Sequence, residues 1–530
     1  MSIVHRICDR VIHGGLMALI VFTPLAFGTV EPWSIALMEW GVVTLILVFL
    51  LSRVYPGGGN PASISPAAPR PLLGLAVPIG LFLVLCILQT VPLPMRCLRV
   101  VSPGSARLYE CVDFGSWERV EEKTEAVRRE RDDPLLRIRG NDRRPISVNP
   151  DRTWGCAVLV ATLVALFFLV AKWADEERAV SILRWVAFVA FLVSMFGLVQ
   201  LLTWNGMIYW VRKVPKKSAD LPTAFGPFVN HDHFAGYVEM AIPVALSLVF
   251  WIVDRRRRPS ASERSLSTGG RRGAAILDTL GEDRGRLSKT TLALFAAVVL
   301  IVSLFFSLSR GGILSAVISG TVLMALLCRR ATSRALRWSM ALALPIVVVC
   351  LIAFIGAEAV KKQMETYGNL SGEASFSLRA ILWERVLREF PAYAWLGSGL
   401  GTFEDSFAPL TPAGSAPRWD KAHNDYLQLL WETGVVGGLL FLTGAAVFVR
   451  RYWWPALRDF RSPTDMFRVG IAVALMSIAI HSAVDFCLQI GANGFLCALL
   501  AGLLVALHAP AAGKAPARDR ARPLEGPWVE

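Results

Sequence analysis

The sequence predicts an all-α polytopic membrane protein, and three observations carry that prediction. The chain of 530 residues is 54% hydrophobic with a mean hydropathy of +0.50. Soluble domains reach only about 45–50% apolar even when glycine is counted. Apolar runs of about 17–23 residues recur along the chain, the length that crosses a bilayer as a helix. These runs are continuous rather than alternating, which excludes a transmembrane β-barrel.

Twelve spans are expected, near 12–29, 33–52, 71–92, 154–172, 180–203, 234–253, 290–308, 311–328, 339–357, 433–450, 467–487 and 492–508. The first lacks a small-residue cleavage site, so it reads as an uncleaved helix rather than a signal peptide. Lys/Arg bias in short loops orients the rest. Arg53 and Arg70 flank one loop, and Arg255 to Arg258 open another that also carries Arg271, Arg272 and Lys289. Arg329, Arg330, Arg334 and Arg337 fill a third, and Arg450, Arg451, Arg458 and Arg461 a fourth. With the N-terminus inside, all four loops and the 509–530 tail are cytoplasmic. The net charge of +14 is thereby explained by topology, without nucleic acid. The arginine-rich 93–153 loop falls on the other side, but it is also rich in acids and near the length where the charge rule loses force.

Two further outside segments stand out, 204–233 and 358–432. The second contains SLRAILWERVLREF, whose apolar residues recur at helical spacing, and then Gly397, Gly399 and Gly401; it reads as a helical cap over the membrane. The inside loop 255–289, rich in Arg, Ser and Gly, reads as flexible. The nine cysteines contain no CxxC pair, which argues against a metal or redox site. Cys97 and Cys111 share a loop and have the chance to pair only if that loop faces an oxidising space.

The strongest site candidate is His423, in AHNDYLQLLWETGVVGG, where the long outside segment meets a membrane helix. A titratable ring at the membrane surface suits proton chemistry on a substrate held in the bilayer; the plain alternative is a helix-capping histidine. Asn424, Asp425 and Tyr426 follow it, and Gly434, Gly437 and Gly438 form a close-packing surface. Arg310, in FFSLSRGGIL, lies between two spans. It is either a snorkelling interfacial arginine or an anion ligand, the latter favoured by Ser309 and by glycines that open a helix N-terminus. Arg379 in SLRAILW is either a surface ion-pair partner of Glu384 or the second half of a guanidinium clamp. Asn230 and His233 in NHDHFAGY suit polar contacts to a glycan or phosphate better than a metal site. His481 and Asp485 lie one turn apart inside the eleventh span and read as a hydrogen-bonded pair, while Glu39 and Glu239 are further intramembrane carboxylates. GSGLG at 397–401 lacks the strand–turn–helix setting of a nucleotide loop.

Taken together, the segment from His423 to Gly437, SLSRGG, SLRAILW, LGSGLGTF, FVNHDHFAGYVEMAIP, HSAVDFCLQIGAN and FTPLAFGTVEPW resemble the O-antigen ligase and polymerase family of bacterial envelope glycosyltransferases. The resemblance spans most of the chain. It implies a GT-C-like helical fold with a periplasmic cap in the bacterial inner membrane. It also implies transfer of a glycan from undecaprenyl pyrophosphate to an acceptor hydroxyl, on a lipid A core or another glycan. The family's functional histidine maps onto His423 and its two functional arginines onto Arg310 and Arg379. A lipid pyrophosphate leaves readily, and no D-x-D pair occurs in the early outside loops, so neither metal nor cofactor is expected. Ligase and polymerase readings stay open, with protein O-glycosylation beside them. The reading from another class, a bicarbonate-carrier-like transporter, predicts midplane ionic sites in an internal repeat; here the unusual residues gather at the outer face.

Overall fold

The computed structural model describes residues 3–55, 70–114, 143–213, 224–256, 272–330, 372–410, 419–458 and 465–508. The membrane part comprises α1 (Ile3–Leu25), α2 (Pro32–Val54), α3 (Arg70–Leu88), α6 (Pro150–Trp173), α7 (Glu176–Leu202), α8 (His231–Arg256), α9 (Arg272–Phe306), α10 (Arg310–Arg330), α13 (Asp425–Phe448), α15 (Asp465–His481) and α16 (Gly491–His508). Shorter helices lie between them: α4 (Met95–Val101), α5 (Pro103–Phe114), α11 (Gly372–Glu389), α12 (Phe403–Phe407) and α14 (Trp454–Arg458). Among the described residues, nine helices are long and apolar enough to cross a membrane, and Leu72–Leu88 of α3 is a shorter apolar stretch. The protein is thus an all-α polytopic membrane protein. The expected ninth span, 339–357, lies outside the described residues. Strand is confined among them to two short antiparallel pairs, Leu93–Pro94 with Arg143–Arg144 and Met207–Ile208 with Arg212–Lys213.

Local chemistry sets the helix starts. Pro32 and Pro150 occupy first-turn positions, where a missing N–H costs nothing. Asn149 and Asp175 accept the N–H groups of Arg152 and Arg178 at 3.3 and 2.9 Å. The FGTVEPW turn is tightened by left-handed Phe27, Gly28 and Thr29. A Cβ on Gly28 would lie 2.6 Å from the Phe228 ring, and the Gly28 carbonyl accepts the N–H of Ala492 at 3.0 Å. That turn therefore joins α1, α2 and the start of α16.

At the centre of the bundle stands α8, with 78% of its apolar window buried. It packs against α7, α9, α10 and α15. Residues that open α8 and α10 and close α15 thus meet at one end of the bundle, and the site lies there.

Three expectations are corrected. The eleventh span ends at His481, not 487: Ser482 to Ile490 form a turn with a short 3-10 segment, Cys487–Gln489. Gly491 then restarts the chain as α16, so a folded turn separates the two helices. Within the 255–289 loop, expected to be inside and flexible, residues 272–289 are helical, the polar beginning of α9. Extending a nucleated helix costs far less than starting one, so a stable span draws polar neighbours into it. The cap is larger than 358–432, because α4, α5 and residues 143–149 of the early loop belong to it. Ser102 Oγ donates to the Gly397 carbonyl at 2.8 Å, Val148 N–H to Ser398 at 3.0 Å, and Gly104 faces the Tyr393 ring. Cys97 and Cys111 in α4 and α5 are free, the first exposed and the second buried.

The glycine series at 397–401 welds the cap to α13. That helix breaks at Gly434, φ 66° and ψ −172°, which only glycine adopts cheaply. The freed N–H groups of Val435 and Val436 bond to Ala394 and Trp395, and Ser398 and Gly399 donate to Trp431 and Glu432. A Cβ on Gly434 would come 2.3 Å from the Trp395 carbonyl oxygen, and one on Gly397 2.2 Å from that of Glu432. Glu432, buried beside this crossing, accepts the N–H groups of Gly401 and Phe403 and the amide of Gln428. Backbone-to-backbone contact of this closeness fixes where the cap sits relative to the residues that precede α13.

Candidate functional site

His423 stands immediately before that helix. It adopts a left-handed conformation, φ 48°, which non-glycine residues visit rarely and which clusters at functional positions. Asn424 follows as the N-cap of α13, its side chain accepting the N–H groups of Tyr426 and Leu427 at 3.0 Å each. The cap and the left-handed turn together aim the His423 ring at the 482–490 turn. His423 Nδ1 lies 3.2 Å from Asp485 Oδ1. The ring packs edge-on against Phe486 at 5.1 Å and Trp419 at 6.1 Å.

Asp485 is 1% exposed. Its Oδ1 also accepts the N–H of Phe486 at 2.8 Å. Burial alone pushes its carboxyl up, but the hydrogen bond and charge of His423, and then the charge of Arg379, outweigh burial and hold it below the usual carboxylate range. A carboxylate only accepts, so in the neutral ring Nδ1 carries the proton and Nε2 the lone pair. This is the arrangement that readies an imidazole as a base.

Arg379, on α11 of the cap, reaches the same turn. Its guanidinium donates to the Val484 carbonyl at 2.7 Å and lies 3.9 Å from Asp485 Oδ2. The surface pairing with Glu384 does not occur; Glu384 pairs with Arg388 instead. Arg310 is the exposed first residue of α10. Left-handed Leu308 turns the chain before it, and buried Ser309 caps the helix by accepting the Gly312 N–H at 3.2 Å. Gly311 and Gly312 let this helix start press on the neighbouring elements. A Cβ on Gly311 would lie 2.8 Å from the His481 ring and 3.1 Å from Val484, and one on Gly312 2.6 Å from Ala235. The two arginine-bearing segments therefore meet the same Val484, one through its side chain and the other through its carbonyl.

The His481 and Asp485 side chains do not hydrogen-bond each other, although the Asp485 N–H donates to the His481 carbonyl at 3.0 Å. His481 Nδ1 faces Glu239 Oε1 at 3.2 Å, and Glu239 also accepts the hydroxyl of Ser315 on α10. With Glu239 fully buried and His481 1% exposed, this buried cluster ties α8, α10 and α15 together directly beneath the Arg310 helix start. The intramembrane position of Glu239 hinted at such a partner; the sequence did not say which.

Several supporting candidates hold the frame. Asn230 is spent on the start of α8, accepting the N–H of Asp232 at 2.9 Å. Asp425 accepts Leu488 N–H at 3.0 Å and Gln489 Nε2 at 2.9 Å, locking α13 to the turn. Tyr426 donates to the Ala479 carbonyl at 2.6 Å. His233 packs edge-on against Phe486 at 5.0 Å, so that ring lies between His233 and His423. His233 Nε2 is buried and without a hydrogen-bond partner among the described residues. Phe486 and Trp419 were missed in the sequence, where isolated aromatics near a membrane boundary carry no distinguishing signal.

One group of potential metal donors is close-set among the described residues: His481, Asp485 and Cys487. Asp485 is engaged by His423 and the Phe486 N–H, His481 Nδ1 by Glu239, and Arg379 stands beside the carboxylate. A cation there would compete with an imidazole and a guanidinium for one carboxylate.

The arrangement offers a base-ready histidine on a buried carboxylate, with the Arg379 guanidinium beside it and the helix start that bears Arg310 packed on the same turn. Such a set suits proton removal from a hydroxyl beside a bound anion. No curated protein matches the chain. Residues 295–442 match the family described as O-antigen ligase; the match runs from the end of α9 into α13 and includes Arg310, Arg379 and His423. Motifs and membrane fold agree with this match, which covers 148 of the 530 residues and supports a likeness to the O-antigen ligase and polymerase superfamily of membrane enzymes.

Proposed function

We propose that the enzyme transfers a glycan from undecaprenyl pyrophosphate to an acceptor hydroxyl on the periplasmic face of the bacterial inner membrane. The observation that supports this most is the convergence on one turn of the His423–Asp485 pair, the Arg379 guanidinium and the helix that Arg310 opens. In this reading His423 Nε2 takes the acceptor proton as its oxygen bonds the anomeric carbon. The bond from that carbon to the pyrophosphate breaks, and both electrons leave with the lipid pyrophosphate. Arg310 and Arg379 hold the charge that develops there, in a site partly closed to water. No metal is required, because guanidinium forks meet the pyrophosphate oxygens directly.

Two measurements test this reading. The exposed thiol of Cys97 in the cap is expected to react with a membrane-impermeant maleimide in spheroplasts, and Cys97→Ser to abolish that labelling. Labelling only after permeabilisation would put the cap, and the site with it, in the cytoplasm. In a purified transfer assay, Arg310→Lys is expected to lose at least about tenfold in rate, since an ammonium is a point charge and cannot reproduce a bidentate fork. A wild-type rate in that variant would remove the fork from the mechanism.

A further inference from the structure

At the end of the bundle opposite the cap lies a cavity of about 200 Å³. It forms where the first turns of α1, the last turn of α2, the end of α6 and the start of α7 meet, and its walls include Asp9, Phe49, Arg53, Lys172, Trp173 and Arg178. Its single carboxylate is spent: Asp9 accepts the Trp173 indole N–H at 2.8 Å and pairs with Arg178 at 2.8 Å. Arg53 and Lys172 have no ion-pair partner among the described residues, so the walls carry two cations in excess. The guanidinium groups are held over aromatic rings, Arg53 on Phe49 and Arg178 on Trp173, each 4.9 Å from the ring centre. A basic bias on this face follows from topology alone. It does not account for a concave site drawn from four helix ends, with a buried tryptophan in its wall and its only acid neutralised.

We propose that this cavity binds a phosphate-bearing anion, and that its occupant is the phosphodiester of an anionic membrane lipid. The excess cations lie at helix ends, the level at which headgroup phosphates sit, and basic pockets between membrane helices take such headgroups. Exposed apolar residues on the same helix ends, Val4, Ile7 and Leu50, leave an apolar surface for the acyl chains. The site is remote from His423 and independent of the transfer chemistry.

The test is native mass spectrometry of the full-length protein in neutral detergent with phosphatidylglycerol or phosphatidylcholine added. Wild type is expected to retain phosphatidylglycerol in preference. Arg53→Gln combined with Lys172→Gln is expected to weaken that retention roughly tenfold or more. A control double variant on the same face, Arg450→Gln with Arg458→Gln, is expected to retain the lipid as wild type does. Displacement of the lipid by millimolar inorganic phosphate, lost in the Arg53/Lys172 variant, would keep the phosphate site and assign it to the free ion. Equal retention of both lipids, no effect of the Arg53/Lys172 variant, or an equal loss in the control would overturn the proposal. Both substituted side chains are exposed, so unchanged thermal unfolding without added lipid is the check on folding.

Discussion

His423→Ala is expected to lower the rate of glycan transfer by about 10²–10⁴-fold, the loss typical of removing a general base. That corresponds to about 3–5 kcal/mol of transition-state stabilisation. The fold is expected to survive. The ring is partly exposed, with one hydrogen-bond partner and two edge-on aromatic contacts, whereas the cap is anchored by backbone contacts at Gly397 and Gly434 that do not involve it. Alanine is less at home than histidine at φ 48°, so His423→Asn is the companion variant, asparagine being among the residues that tolerate the left-handed region. Both variants are to be purified, shown to unfold like wild type, and assayed with a lipid-linked glycan and acceptor. Retention of more than about a tenth of the wild-type rate, less than the loss expected for a base, would make His423 a positioning residue. The acceptor proton would then leave through water or a phosphate oxygen.

The membrane spans were legible because a bilayer demands a continuous apolar run and nothing else in a chain imitates one. Spans were misread at their edges, where that demand ends. Asp485 and Phe486 lie in a turn, but HSAVDFCLQI is apolar enough to be read as helix up to 487. The misreading had a chemical cost. On a helix, Asp485 would be expected to pair with His481; in the turn it stays beside His481, but its carboxylate meets His423 and the His481 ring meets Glu239 on α8. Pairings between residues far apart in sequence, such as Asp485 with His423 and Glu239 with His481, leave no trace in local periodicity. The cap was legible as a polar, part-helical segment. Its true extent was not, because the contacts that bind α4 and α5 to it, Ser102 on Gly397 and Gly104 on Tyr393, use small residues whose packing role resembles that of any loop serine or glycine. The glycine series at 397–401 shows in sequence only that it lacks the setting of a nucleotide loop; its use here, close passage over a broken helix, requires the partner backbone to be known.

Asp485→Asn carries the second large expected effect, and it separates two things the carboxylate does. Asparagine keeps the shape of the side chain, but Arg379, a donor, faces Oδ2, so the amide oxygen turns to it and the NH2 takes the place of Oδ1, which had met both His423 Nδ1 and the Phe486 N–H. That NH2 donates, and the group facing His423 Nδ1 would no longer be an acceptor. An amide donor opposite Nδ1 favours the tautomer whose proton sits on Nε2, which removes the lone pair from the atom meant to take the acceptor proton. Transfer is expected to fall by about 10²–10⁴-fold, as for loss of the base itself. The double variant with His423→Ala is expected to be little worse than either single one, because the two residues act as a unit. The carboxylate also stands 3.9 Å from the Arg379 guanidinium, so neutralising it leaves the surroundings of a bound pyrophosphate more positive. Donor KM is therefore expected to hold or fall while kcat collapses. The opposite split, a raised donor KM with kcat preserved, would mean that Asp485 serves to place Arg379 for donor binding and that the His423 tautomer is fixed by some other group.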